Sequence, residues 1–128
     1  MKDIEQQLSE QLTPLMGINV LSYVSDDDAF ERIGDNGAGL VMYTSSQVLQ
    51  ASSGVSKLVS LPYRQLALEV IFMAPTAEAL SVLIEKVYQS LDSIQLTGYR
   101  KLEITADRLD GVFDGIHNGS VSMSVIKA

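Results

Sequence analysis

Residues 63–91, YRQLALEVIFMAPTAEALSVLIEKVYQSL, change period in the middle, and that change decides the fold class. Over residues 64–73, Leu66, Leu68, Val70 and Phe72 fall on one face and Gln65, Ala67, Glu69, Ile71 and Met73 on the other, the two-residue repeat of a strand. The second face is half apolar. That fits either a central strand packed on both sides within the chain or a strand covered by another subunit. Pro75 stops the strand, Thr76 offers an N-cap hydroxyl, and Glu78 lies in the first turn, where the helix dipole favours an acid. Leu80, Leu83, Ile84, Val87, Tyr88, Leu91 and Ile94 then recur at helical spacing, a wide apolar stripe that ends before Gly98. This is the principal helix; it is expected to lie across the sheet, with Leu83 and Val87 in the core.

Toward the N-terminus, Ile4, Leu8, Leu12, Leu15 and Met16 predict a first helix over residues 3–16, ended at Gly17. INVLSYV (18–24) reads as a short strand running into the acidic turn Asp26–Asp28, GDNGAG (34–39) as a turn, and LVMYTS (40–45) as a second strand. Toward the C-terminus, YRKLEITA (99–106) and SVSMSVIKA (120–128) read as strands. In the last strand Val121, Met123 and Val125 share one side, and Ser120, Ser122 and Ser124 are expected to face solvent or a partner. The elements together predict an α+β two-layer sandwich, a mostly antiparallel sheet covered by the N-terminal helix and the one central helix, in a single domain spanning residues 1–128.

Residues 46–60, SQVLQASSGVSKLVS, break the pattern. Val48, Leu49, Val55, Leu58 and Val59 make the segment apolar for a solvated linker, Lys57 is its one charge, and no period is sustained. A loop of this length is functional or disordered. These six residues are the expected assembly contact, on a loop that is mobile in the free subunit and ordered against a neighbour. A β-hairpin whose strands run on past the sheet is the equal alternative.

Composition excludes several classes of function. The chain has no cysteine, so disulfides, thiolate nucleophiles and zinc–thiolate sites are absent. Sixteen acidic against nine basic side chains give a net charge of −7, and the basic residues are scattered, which argues against autonomous nucleic-acid binding. The N-terminus, MKDIEQQLSEQL, has the form of neither a signal peptide nor a membrane span, and the expected product is soluble.

DRLDGVFDGIHNG, residues 107–119, holds three aspartates and the only histidine. Asp107, Asp110 and Asp114 lack the alternate spacing and closing glutamate of a calcium loop, whereas Asp-Gly and Asn-Gly are turn dipeptides. A turn is expected there, with His117 a surface-loop residue and no metal bound. GDNGAG lacks a phosphate-binding lysine and precedes a strand, no serine sits in a nucleophile elbow, and the Asp26–Asp28 run reads as a solvated turn. Neither catalytic residues nor a cofactor site are expected, and a binding or structural role outweighs an enzyme.

The short N-terminal helix, the strand pair joined by a long serine-rich loop, YRQLALEVIFMAP running directly into TAEALSVLIEKVYQSL, and the final strand pair resemble, over essentially the whole chain, the minor tail proteins of Mu-like phages and prophages, in particular the tail-terminator type. The resemblance implies a non-enzymatic α+β subunit that assembles with itself into a ring, a hexamer, at the end of the tail tube. Its partners would be tail-tube and head-completion proteins, and its location the host cytoplasm during virion assembly and then the virion tail. A ferredoxin-like ligand-binding or regulatory dimer is the alternative, and an acidic inhibitor mimicking DNA a third.

Overall fold

The computed structural model describes residues 2–22, 36–49 and 63–127. Along the chain run α1 (Lys2–Met16), β1 (Val20–Ser22), β2 (Ala38–Leu49), β3 (Tyr63–Ala74), α2 (Ala77–Ser90), a 3-10 turn (Leu91–Ser93), β4 (Tyr99–Phe113) and β5 (Ile116–Lys127). The five strands among the described residues form one sheet in the order β1-β2-β3-β5-β4, antiparallel except for the short β1–β2 pair. Both helices pack on one face, giving the expected α+β two-layer sandwich.

Local chemistry sets the helix ends as the sequence leads one to expect. The Thr76 hydroxyl accepts from the Ala79 amide at 3.0 Å, filling one of the donors a helix start leaves open. Gly17, at φ +71°, closes α1 by donating its amide to the Thr13 carbonyl at 3.0 Å, a left-handed cap that costs glycine nothing. The Thr13 side chain ties the helix to β1, donating to the Val20 carbonyl and accepting from the Val20 amide.

The core lies between the helices and one sheet face. Ile4, Leu8, Leu12 and Met16 of α1 and Leu80, Leu83, Ile84 and Val87 of α2 meet Leu66, Leu68, Val70 and Phe72 of β3, with Val121, Met123 and Val125 of β5 beside them. Leu83 and Val87 are core residues, as their stripe predicts. The link from α2 to β4 is fastened along α1: Gln7 accepts from the Thr97 amide at 2.7 Å and donates to its carbonyl, and Gln11 does the same at Gln95. One helical turn apart, the two amide side chains act as a strand edge.

Several boundaries differ from the sequence reading. Strand β2 starts at Ala38 inside the expected GDNGAG turn and continues to Leu49, so Ser46–Leu49 of the expected loop are ladder residues paired with Tyr63–Leu66. The extended hairpin is therefore the outcome over Ser46–Leu49, with Val48 opposite Arg64 and Leu49 opposite Tyr63. Val55, Lys57, Leu58 and Val59 lie outside the described residues, as does the Asp26–Asp28 turn.

The expected turn at 107–119 is likewise mostly strand. Of its three turn dipeptides only Asp114-Gly115 reverses the chain; Asp110-Gly111 sits at a bulge in β4 and Asn118-Gly119 inside β5. His117 is thus a half-buried strand residue opposite Ala74, not a loop residue. The serines of β5 do point away from the helices, but Ser120 and Ser124 are buried rather than solvated. In the middle of a sheet so short a side chain is overtopped by its neighbours, here Ile71 on one side of Ser120 and Arg108 on the other.

Candidate functional site

The outermost strand sets up the site. Among the described residues strand β4 pairs only with β5, and from Thr105 through its turn every residue is exposed. Its distal half and the start of β5 form a hairpin arm. Asp114 and Gly115 turn it with φ of 52° and 78°, the pair of positive angles a two-residue hairpin turn needs to match strand twist. Gly111, at φ +122° beside the register shift between Leu109 and Gly111, supplies the bulge.

Near the tip the arm carries three large apolar side chains in the open: Leu109 is 70% exposed, Val112 55% and Phe113 63%. The register puts Leu109 opposite Gly119 and Val112 opposite His117, on the helix side of the sheet. Yet α2 packs mainly over β3 and β5 and reaches β4 through Tyr88 at the arm's root, and beyond that point Leu109 and Val112 stay exposed. After the bulge Phe113 faces the other way, its ring over Gly111.

The root of the arm is held from both faces. On the face away from the helices, Arg108 Nη2 donates to Glu69 Oε1 of β3 at 2.9 Å and its Nε to Asp110 Oδ1 at 2.6 Å, a strap lying across β5 over Ser120. On the helix face the Tyr88 hydroxyl of α2 donates to the Asp107 carboxylate. That hydrogen bond raises the tyrosine pKa above its ordinary value, with smaller contributions from desolvation and from the Asp107 and Glu85 charges. Tyr88 therefore stays a neutral donor at physiological pH.

This arrangement suits docking better than chemistry. Asp107 and Asp110, candidates for oxygen ligands by composition, are committed to Tyr88 and Arg108, and among the described residues no three metal-type side chains converge. Calorimetric titration with calcium, magnesium, manganese or zinc is expected to give no binding tighter than about millimolar. A micromolar isotherm abolished by Asp110→Asn and Asp114→Asn would show that the arm holds an ion. An open depression of about 410 Å³ lies between the end of α1 and α2, but its one ammonium, Lys86 Nζ, is spent on the Met16 carbonyl at 3.2 Å.

Of the six contact residues expected from sequence, only Val48 has a described side chain, and at 58% it is exposed. It lies at the far end of the sheet from the arm tip, so the structure does not bring the two together. Leu109, Val112 and Phe113 escaped the sequence reading because the Asp-Gly pairs around them read as turns. The available signal was that three large apolar residues in five positions are out of place in a solvated turn.

Among the described residues no helix is long and apolar enough to cross a membrane. No family model and no curated protein matches the sequence. Among solved structures, the chain is similar to a chain of the virion of a native gene transfer agent particle, with a TM-score of 0.51 and 16% identity over 99% of this chain and 93% of that one. At that identity, what the two chains share is the whole-chain α+β fold.

Proposed function

We propose that this chain is a structural subunit of a phage-like particle, a terminator or completion subunit that forms a homo-hexameric ring at the end of a tail tube. The observation that carries the reading is the full-length likeness in fold to a virion chain, with neither partner left with a large unmatched segment. The sequence resemblance to tail-terminator proteins points the same way, as does a site made of an exposed apolar arm instead of converging catalytic groups. The subunit is read as one domain without a cofactor, whose partners are its own copies, the tail tube and the head-completion proteins. The segment after β2, with Val55, Lys57, Leu58 and Val59, remains part of the proposed contact surface. A ferredoxin-like dimer is the weaker reading, because the described elements run α-β-β-β-α-β-β rather than in the β-α-β-β-α-β repeat of such domains.

Size-exclusion chromatography with light scattering across a concentration series tests the proposal. Mass-action growth from monomer to a six-subunit species is expected, with rings visible by negative-stain microscopy. A concentration-independent dimer would refute the ring.

A further inference from the structure

Strand β4, YRKLEITADRLDGVF, is complementary to itself when its direction is reversed. Lys101 and Glu103 in its first half answer Asp110 and Arg108 in its second, with an apolar residue, Leu102 and Leu109, between the two charges each time. Lys101 and Glu103 are exposed and, among the described residues, enter no ion pair. From Thr105 to Gly115 the strand and its turn are exposed on both faces, so this edge is open by its own exposure. The register with β5 puts Tyr99, Leu109 and Val112 on the helix side and Glu103 and Arg108 on the other, and Leu102 packs against the core on the helix side.

We infer that two copies of this chain pair isologously through β4, antiparallel, with Thr105 of one copy opposite Ala106 of the other. In that register Leu102 meets Leu109 and Tyr99 meets Val112 on the helix side, Glu103 meets Arg108 on the other face, and Lys101 meets Asp110. The two-fold makes each of these cross-strand contacts twice. Ile104 stands opposite Asp107, whose carboxylate is already held by Tyr88. Arg108 gives Nε and Nη2 to its own Asp110 and Glu69, and a guanidinium with five donors can take a further carboxylate. Phe113 falls opposite Gly98, where the subunit has nothing within 4 Å of an added methyl and the ring has room.

The irregularities of β4 obey the same two-fold. The extra residue between Arg100 and Glu103 comes opposite the one between Leu109 and Gly111, and the third, between Ile104 and Ala106, lies on the axis. Charges and bulges guard an edge strand against pairing in general, and here they turn away other strands while fitting a second copy. Register is fixed as well. A slip of one residue sets helix-side residues against those of the other face. A slip of two sets Lys101 against Arg108 in one direction and Glu103 against Asp110 in the other. Neighbours in a six-fold ring are not related by a two-fold, so the pair goes beyond the ring reading. It is a contact of free subunits, in mass-action exchange with the monomer, that covers Leu109 and Val112 before assembly.

Because the chain lacks cysteine, Thr105→Cys puts a single thiol beside the axis. A short bis-maleimide is expected to convert that variant to covalent dimer, and Gln89→Cys, an exposed position on α2, to far less. Equal yields at the two positions would overturn the inference. Lys101→Glu combined with Glu103→Lys keeps the net charge at −7 but turns the ion pairs of the interface into repulsions. Both side chains are exposed, so melting should not change, while the dimer dissociation constant measured by sedimentation equilibrium rises about 100-fold or more. Undiminished dimerisation of this variant, or unmodified protein that stays monomeric at every concentration, would refute the pair.

Discussion

Phe72→Ala is expected to lower the unfolding free energy by about 3 to 5 kcal/mol, the usual range for emptying a buried phenylalanine site. The ring is fully buried near the C-terminal end of the central strand, and its register explains why the site cannot collapse. Directly opposite Phe72 are glycines on both neighbouring strands, Gly39 on β2 and Gly119 on β5. A methyl added at Gly39 would stand 3.1 Å from the Phe72 ring and 3.2 Å from Val20 Cγ2, so the ring fills the room that the missing side chain leaves. At Gly119 the same space is taken from above, where an added methyl would meet Leu80 at 3.2 Å and Ile84 at 3.4 Å. Removing the ring therefore opens a void that neither glycine can refill. Urea unfolding read by circular dichroism measures the loss, and a change below about 1 kcal/mol would show that the ring is not the centre of the core.

The second large effect belongs to Gly37→Ala. Its φ of +105° is a conformation side chains rarely adopt, and an added Cβ would lie 2.5 Å from the Met73 carbonyl oxygen and 3.1 Å from Leu83 Cδ1. Backbone strain and a collision with a backbone atom act together here, so a loss of about 2 to 4 kcal/mol is expected. Gly98→Ala separates the two causes, because Gly98 has φ +86° with nothing within 4 Å of the added methyl. That variant should lose about 1 to 2 kcal/mol, the strain alone. Equal losses at the two positions would show that the close approach of residue 37 to β3 contributes nothing.

These glycines show how far the sequence could be read. GDNGAG was legible as a glycine-rich break, but not as a close contact, because the atom that Gly37 must avoid belongs to Met73, far along the chain. The same limit applies to Asp-Gly. At 114–115 the pair makes the reversal, and at 110–111 it makes a bulge within a strand, since pairing with β5 continues through it. The candidate site was hidden for that reason: Leu109, Val112 and Phe113 were masked by turn dipeptides, and their exposure follows from where α2 ends its cover of the sheet. Val48 and Leu49 were picked out for apolarity in an aperiodic run, and both prove to lie in a strand.

By itself the sequence determined the two helices, their apolar faces, the caps at Thr76 and Gly17, the inward face of β3, and hence the α+β layering. Each of these is a local signal, carried by a period or a cap within a few residues. Only the tertiary structure decided the strand order, the lengths of β2 and β4, the burial of Ser120 and Ser124, and which apolar residues remain in the open. A strand ends where its partner ends and a side chain is covered only by what lies beside or above it, so both depend on residues distant in the chain.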